Sequence, residues 1–343
     1  MKADNTSLLV NSVILSAREF LAQNSTSYVR HYRIADSVLR VTAGSAFLLE
    51  SYLSSFNHVV CTSQNHDFDI LLLDSESYGV PYPYSETVKN KKTRFGVSRA
   101  VSDQNVMSTI EDDNTFFAAD LQRKTAVCWL RGQSAVQNSL PARPFCNPIH
   151  WWMTPRKYQL IHAGAIGDER GAVLLLGPKR SGKSTACLNL LAAGMQCLGD
   201  DHVIVGPSTS KSGLSVFSLY SRARIRGLPP ILAQRQEFVD LCRIYDRKLD
   251  VPLYPYFNKQ IIQELPLKGI ICPYFGQQSG LPVAVSKSYA LTRALPTLQH
   301  LTGMEKQTMA NISDYICELP CYSLEMADDF EQTARSIKQL LEC

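Results

Sequence analysis

The sequence lacks any apolar run long enough to cross a bilayer, because no stretch reaches the roughly 18 apolar residues that a spanning helix needs. The first apolar run, residues 8–17, contains Asn11 and Ser12, and no small-residue cleavage site follows it. We therefore expect an amphipathic helix there rather than a signal peptide. We also expect no membrane partner.

The sequence also lacks a large excess of charge of one sign. The 343 residues carry 35 Lys and Arg against 31 Asp and Glu, a net charge of +4. This balance excludes the basic excess of a dedicated nucleic-acid or membrane-surface binder, so we expect no nucleic-acid partner. The one basic run, residues 89–94, is interpreted as a solvated loop, since short charge runs usually are.

Internal repeats and degenerate segments are missing too, which excludes solenoids and low-complexity chains. Ten cysteines are scattered through the chain, several inside apolar runs such as residues 125–130 and 268–275. Such placement is typical of free, buried thiols in a reducing compartment, and it predicts a cytoplasmic protein. Cys317 and Cys321 have no second pair at zinc spacing, so we expect buried structural thiols there rather than metal ligands.

A break in periodicity divides the chain. Four prolines fall within residues 140–157, between two strand-like segments. Prolines interrupt regular structure, so we predict a mixed α/β module over residues 1–148, for substrate recognition or assembly, and a second domain over 149–343. In the first module, apolar periodicity predicts helices over 16–24 and 44–56, and strands over 58–63, 68–75, 116–121 and 125–130.

The second domain opens with the pattern G-x-x-x-x-G-K-S over residues 177–184. An apolar segment over 172–176 precedes the pattern, and a helix-like segment closed by Gly194 follows it. In that context the pattern predicts a P-loop, whose backbone N–H groups and helix N-terminus cradle phosphates. The residues predicted to bind nucleotide are Gly177, Pro178, Lys179, Arg180, Ser181, Gly182, Lys183, Ser184 and Thr185.

The pattern also assigns roles. Lys183 would reach the β- and γ-phosphates of ATP, and the hydroxyl of Ser184 would ligate Mg²⁺. ATP and magnesium are therefore the predicted cofactors.

Two adjacent carboxylates follow the loop and its helix. A right-handed crossover would place residues 195–198 beside 172–176, parallel to it, so that Asp200 and Asp201 lie at the edge of the sheet that holds the loop. Carboxylates there suit two tasks of phosphoryl transfer, accepting the proton of an attacking hydroxyl and holding magnesium. We predict Ser184 and Asp201 as metal ligands, although Asp-Asp also suits a tight turn.

A histidine precedes the loop. Residues 158–176 read as a hairpin that turns at 167–171, which places His162 opposite Leu175 or Leu176. An imidazole beside a carboxylate commonly orients a base, and a lone histidine is as often structural. The spacing alone leaves both interpretations open.

Together these stretches resemble the HPr kinase/phosphorylase family, bacterial serine kinases with a P-loop. The resemblance covers about residues 155–230, with "LIHAGA", "GPKRSGKS", "AAGMQCLGDDHVIV" and "ARIRGLPPI" as the matching stretches. It implies an α/β domain with a mixed sheet flanked by helices, and transfer of the γ-phosphoryl group of ATP to a serine. It also implies that His162 and Lys183 belong to the catalytic site. One of Asp200 and Asp201 would then be the general base, with the other near His162 and magnesium.

The sequence departs from that pattern at several positions. Lys179 and Arg180 replace the family's Ser-Gly inside the loop, and Arg224 falls where a glutamate helps to hold magnesium. Arg224 and Arg226 are predicted to bind a phosphate or an acidic group of the substrate instead. Residues 235–265 do not resemble the carbohydrate-regulating members, so HPr itself is not the expected acceptor. The layout is more similar to HPr kinase-like proteins of peptide-natural-product pathways, including those of lasso peptides.

The predicted function is thus an ATP-dependent kinase that acts on a serine of a peptide or protein. Two alternatives stay open: a kinase for a small-molecule hydroxyl, such as a free amino acid or sugar alcohol, and a non-catalytic ATP-binding accessory protein. The accessory protein stays open because Arg224 stands where the family has a glutamate that helps to hold magnesium. A homo-oligomer also stays open, since members of the family often form rings and the sequence shows no interface signature.

Overall fold

The computed structural model describes residues 3–23, 27–83, 101–103, 105–111, 114–132, 143–210, 212–245, 248–276, 280–298, 301–326 and 330–342. The basic run 89–94 lies outside these residues. The chain separates into two compact units, the first formed by 1–54, 60–156 and 299–305, the second by 55–59, 157–298 and 306–343. The change from one to the other between Arg156 and Lys157 falls inside the proline-rich segment 140–157. That the first unit recognises substrate stays a prediction.

The first unit is built around one mixed sheet. Its strands are β1 (Tyr28–Ile34), β2 (Ser37–Ala43), β3 (Val60–Cys61), β4 (Phe68–Asp74), β5 (Val101–Asp103), β6 (Val106–Glu111), β7 (Thr115–Asp120) and β8 (Thr125–Leu130). The order is β3-β1-β2-β4-β8-β7-β6-β5, in which β2/β4 and β4/β8 are parallel and the other pairs antiparallel. The helices are α1 (Ala3–Gln23), α2 (Ser75–Tyr78) and α3 (Cys146–Met153).

Helix α1 covers one face of this sheet. Val10, Ile14 and Ala17 recur at helical spacing and are buried against Leu71 and Val127 of the central strands. The predictions of an amphipathic N-terminal helix and of a mixed α/β module are therefore confirmed. The four predicted strands are also found, the first of them only as the short β3.

One prediction for this part of the chain is wrong. Residues 44–56 do not form a regular α-helix, because the backbone winds as a π-helix over Leu48–Tyr52 and then as a 3₁₀-helix over Ser54–Val59. The prolines of 140–157 do not prevent regular structure, since α3 forms across Pro148. That proline lies in the first turn of the helix, where its missing N–H needs no partner.

The second unit holds a larger sheet and a small one. The strands are β9 (Gln159–Ile161), β10 (Gly164–Asp168), β11 (Gly171–Leu175), β12 (Gln196–Gly199), β13 (Val203–Pro207), β14 (Leu214–Ser218), β15 (Arg222–Ile225), β16 (Arg243–Tyr245), β17 (Lys248–Pro252), β18 (Glu264–Phe275), β19 (Val283–Ala284) and β20 (Cys321–Met326). The helices are α4 (Lys183–Ala192), α5 (Pro230–Ala233), α6 (Gln236–Val239), α7 (Lys287–Ala294), α8 (Glu305–Glu318) and α9 (Phe330–Glu342).

The large sheet runs β12-β10-β11-β18-β14-β13-β9, with β20 beside β18 and β19 beside β20, and the small sheet runs β15-β17-β16. Alternate residues of each central strand face opposite layers. Val173 and Leu175 pack with α4 and α9, while Leu174 packs with α7 and α8. The predicted fold class, α/β with mixed sheets flanked by helices, is confirmed.

The predicted pairing of residues 195–198 with 172–176 is wrong. Strand β12 pairs antiparallel with β10, which in turn pairs antiparallel with β11, so β10 separates β12 from β11. Because both pairings are antiparallel, β12 still runs parallel to β11 and ends at the same edge of the sheet. Asp200 and Asp201 therefore come to the loop as expected, by a different route.

The predicted hairpin strand over residues 158–166 is divided in two. Gly164 faces Leu175, and the chain bends at His162 and Ala163, before which β9 pairs with β13 at the far end of the sheet order. His162 is therefore not opposite Leu175 or Leu176. A link of two residues joins β9 to β10, and a link of three, residues 200–202, joins β12 to β13.

Helix α4 depends on the core that it covers. Leu188 is fully buried between this helix and the sheet. We expect Leu188→Ala to lower the free energy of unfolding by about 2–5 kcal/mol, because truncation leaves a cavity. Urea denaturation measures the loss. The matched control Leu281→Ala removes a side chain that is 62% exposed, and an equal loss there would contradict the assignment.

Among the described residues, no helix combines the length and the apolar character that crossing a membrane requires. The cysteines in the described ranges are all free. Cys321 is buried, as expected of a structural thiol, but Cys317 is exposed on α8, where the helix turns it to solvent.

Candidate functional site

The glycine-rich loop, residues 177–184, connects β11 to α4. Gly177 lies against Ser181, whose Oγ would come within 2.9 Å of a Cβ at that position, so a larger residue would distort the loop. Arg180 has a φ of 69° and Gly182 a φ of 94°. Glycine is the residue that usually takes this left-handed backbone, so Arg180 adopts at this turn a conformation that is uncommon for a residue with a Cβ.

Lys183 is buried and points back over the loop. Its Nζ donates to the carbonyl oxygens of Gly177, at 2.8 Å, and Pro178, at 3.1 Å. Burial lowers the pKa of Lys183, against the attraction of Asp200 and Asp201. The ammonium group thus lies at the mouth of the loop with the acid pair nearby, whereas Lys179 and Arg180 are exposed.

Asp200 is buried beside the start of α4. Its Oδ2 accepts a hydrogen bond of 3.3 Å from the backbone N–H of Arg224, and the Ser184 side chain lies next to it. Burial, together with the neighbouring charge of Asp201, raises the pKa of Asp200 to about 7. Its Oδ1 is buried without a hydrogen bond of normal geometry among the described residues.

Asp201 lies between two imidazoles. Its Oδ1 is 3.2 Å from Nε2 of His162, and its Oδ2 is 3.3 Å from Nδ1 of His202. The two rings stack with centroids 5.0 Å apart. The Asp201 side chain keeps 15% of its surface exposed, while His202 is fully buried. The sequence did not single out His202, although it directly follows the acid pair.

These residues come together because of the two short links in the large sheet. His162 lies in the link from β9 to β10, and the segment from Asp200 to His202 forms the link from β12 to β13. Each link crosses between strands at opposite ends of the sheet order. Two of the predicted catalytic residues, His162 and Asp201, thereby meet at this crossing.

The structure separates the two predicted substrate-binding arginines. Arg224, on β15, reaches the acid pair through its backbone N–H. Arg226 is exposed beyond the end of that strand, and no contact with the aspartates is seen within the described ranges. Lys248, on the neighbouring β17, is a cation that sequence reasoning missed. Burial and the nearby Arg224 lower its pKa, and the charges of Asp201 and Asp200 oppose that shift.

Arg293 was also missed, because it follows the loop by more than a hundred residues. Its Nη2 donates to the carbonyl oxygen of Pro273 at 3.0 Å. The same atom lies 3.5 Å from the position that a Cβ on Gly177 would take.

The donors at Ser184 fit magnesium. A hydroxyl and a buried carboxylate are hard oxygen ligands, and Oδ1 of Asp200 has no hydrogen bond of normal geometry among the described residues. No cluster of three or more His, Cys, Asp or Glu that would hold a metal is present in the described part of the chain. Magnesium in nucleotide sites commonly takes one or two protein ligands and completes its shell with phosphates and water. The neighbourhood favours Asp200 for the role that the sequence gave to Asp201, and the assignment of Asp201 stays a prediction.

No protein-family model matches the chain, and no curated protein matches its sequence significantly. Among solved structures, the chain is similar to the HPr(Ser) kinase/phosphatase from Coxiella burnetii, with 12% sequence identity and a TM-score of 0.31. The match covers 53% of this chain and 95% of that one.

Proposed function

We propose that the protein is an ATP-dependent kinase that transfers the γ-phosphoryl group to a hydroxyl, namely a serine of a peptide or protein. The observation that carries the proposal is an acid pair beside the lysine and the serine of a glycine-rich loop, with Asp200 buried and Asp201 partly exposed. Burying a carboxylate such as that of Asp200 is costly. A protein that only senses ATP has no need of such a pair.

The loop residues would bind the phosphates of ATP. When a nucleotide enters, Nζ of Lys183 would exchange the carbonyl oxygens of Gly177 and Pro178 for phosphate oxygens, a stronger, charge-assisted contact. Ser184 and Asp200 would hold magnesium, which when bound neutralises charge on the phosphates. Lys183 would further stabilise the charge that spreads over the γ-phosphoryl oxygens in the transition state.

Asp201 would handle the proton. The acceptor oxygen forms a bond to the γ-phosphorus as the bond from that phosphorus to its bridging oxygen breaks and ADP leaves; the hydroxyl proton passes to the carboxylate of Asp201. Of the two carboxylates, Asp201 is the one with solvent-exposed surface, so an acceptor can reach it. His162 and His202 would fix its orientation.

The acceptor class belongs to the proposal as well. Arg224 and Lys248, near the acid pair, suit an acceptor with an acidic group close to its hydroxyl. A precursor peptide of a natural product is one such acceptor, and the cytoplasm is the proposed location.

Mass spectrometry tests the function. We expect serine-containing peptides incubated with the protein, ATP and magnesium to gain the mass of a phosphate. Lys183→Ala should slow this gain about 100-fold or more, because it removes the cation that contacts the reacting phosphates. The matched control Lys306→Ala changes an exposed lysine on α8 and should leave the rate unchanged.

Other results would separate the alternatives. Phosphate gained by a free amino acid or sugar alcohol, with none on peptides, would establish a small-molecule kinase instead. ATP binding without transfer to any acceptor would indicate an accessory protein and would overturn the proposal.

A further inference from the structure

Arg293 lies beside the glycine-rich loop, next to Gly177. It lies near the end of α7, a helix that begins at the N-cap Ser286, whose Oγ accepts from the N–H of Tyr289 at 3.2 Å. The side chain reaches from this helix to the end of β18 and donates to Pro273. Because β18 runs parallel to β11, its end lies at the same edge of the sheet as the loop.

One nitrogen of the Arg293 guanidinium group donates a hydrogen bond, while another is buried without one among the described residues. Nη2 donates to the carbonyl oxygen of Pro273 and lies 3.5 Å from the position that a Cβ on Gly177 would take. Nε is buried, and it has no hydrogen-bond partner among the described residues. A buried N–H of a charged group without a partner is costly, which indicates that a ligand completes the contact.

The position of Arg293 selects one end of a bound nucleotide. Gly177, whose Cβ position lies 3.5 Å from Nη2 of Arg293, is also the residue whose carbonyl oxygen accepts from Nζ of Lys183. The lysine of such a loop reaches the β- and γ-phosphates, so Arg293 faces that same end of the phosphate chain. Lys183 and Arg293 repel each other, and this repulsion contributes to the lowered pKa of Lys183. An anion between the two cations would relieve it.

We infer that Arg293 contacts the γ-phosphate of bound ATP and makes the site prefer ATP to ADP. Arginine suits this role, since its planar group can keep the Pro273 hydrogen bond while other N–H groups face phosphate oxygens. The inference deepens the proposed function and rests on it for the identity of the nucleotide.

Calorimetric titration of the full chain with ATP and with ADP, in magnesium, tests the inference. We expect Arg293→Ala to weaken ATP binding about 10- to 100-fold and ADP binding no more than about twofold, because only ATP carries the contacted group. Arg293→Lys keeps a charge that can reach Pro273 and should lie between wild type and Arg293→Ala. The matched control Arg335→Ala, on the exposed face of α9, should bind both nucleotides like wild type.

The results distinguish this inference from the proposed function. If Arg293 only supports the fold, its replacement will weaken ATP and ADP equally or neither, and the inference is overturned while nucleotide binding stands. If the wild type binds neither nucleotide, the proposed function and the inference both fail. Should Arg293→Ala not fold, the same ATP-to-ADP comparison on Arg293→Lys decides, since a reduced preference supports the inference and an unchanged one overturns it.

Discussion

Replacing Asp201 with asparagine should lower the rate of phosphoryl transfer about 10²- to 10⁴-fold, the usual contribution of a general base. Asparagine keeps the size of the side chain and one oxygen for His162 or His202, but it cannot take up the proton of the acceptor. ATP binding should change little, since Lys183 and the loop would hold the phosphates. Steady-state kinetics and calorimetric titration of ATP measure the two effects separately.

The control for Asp201→Asn is the same change at an exposed aspartate. Asp314 lies on α8 with 59% of its side chain exposed, and Asp314→Asn should leave kcat unchanged. A loss in ATP affinity as large as the loss in kcat would contradict the proton-handling role of Asp201 and would favour a role in binding.

Replacing Asp200 with asparagine should stabilise the folded protein while it abolishes magnesium-dependent transfer. The folded chain raises the pKa of this carboxyl from its ordinary value of 3.8 to about 7. Between those two values the unfolded chain has released the proton and the folded chain keeps it, so stability falls as the pH rises through this window. Above the folded pKa the full cost of a buried charge is present, and asparagine removes that cost.

Thermal unfolding in the presence of a chelator tests this expectation. At about pH 8, Asp200→Asn should unfold at a temperature several degrees above that of the wild type, and the gap should shrink at about pH 5. Asp314→Asn should show no such dependence on pH. A variant less stable than the wild type at both values would mean that the carboxylate is stabilised by its surroundings rather than strained by them.

The two aspartates therefore differ in their expected effect on the free energy of unfolding, which the buried charge of Asp200 lowers. Asp200 is buried and accepts from the backbone N–H of Arg224 and from the side chain of Ser184, whereas Asp201 lies between the imidazoles of His162 and His202. Natural proteins accept destabilising residues mainly where function requires them. The destabilising environment of Asp200 thus supports a functional role for this carboxylate.

Local patterns were enough to predict the loop, its helix and the direction of the strand before the acid pair. Each depends on residues close in sequence, such as the glycines around Lys183 and the apolar run before them. The insertion of β10 between β11 and β12 was not predictable in this way. The crossover rule gives direction and handedness, and it does not say whether a neighbouring hairpin fills the space between two parallel strands.

Residues brought in from distant segments were the hardest to predict. His202 needed only attention to the residue after the acid pair, but Lys248 and Arg293 reach the site through β17 and α7, which no short motif connects to the loop. The position of these two side chains depends on the order of strands in the completed sheet. Tertiary placement of this kind lies beyond a single sequence.

The two links that carry His162 and Asp201 also restrict how this chain can evolve. In a flat sheet, β9 and β10 would stand five strand spacings apart, about 24 Å, yet three residue steps from Ile161 to Gly164 reach at most about 11 Å. The strands must therefore depart from a flat arrangement, so that β9 lies close to β10 and the two short links hold these strands together. Insertions elsewhere on the surface cost little in stability. A residue added to either link would let the joined strands move apart and would separate the imidazole of His162 from the carboxylate of Asp201. Proteins that have diverged from this one should therefore differ in the residues of these two links and keep the length of both.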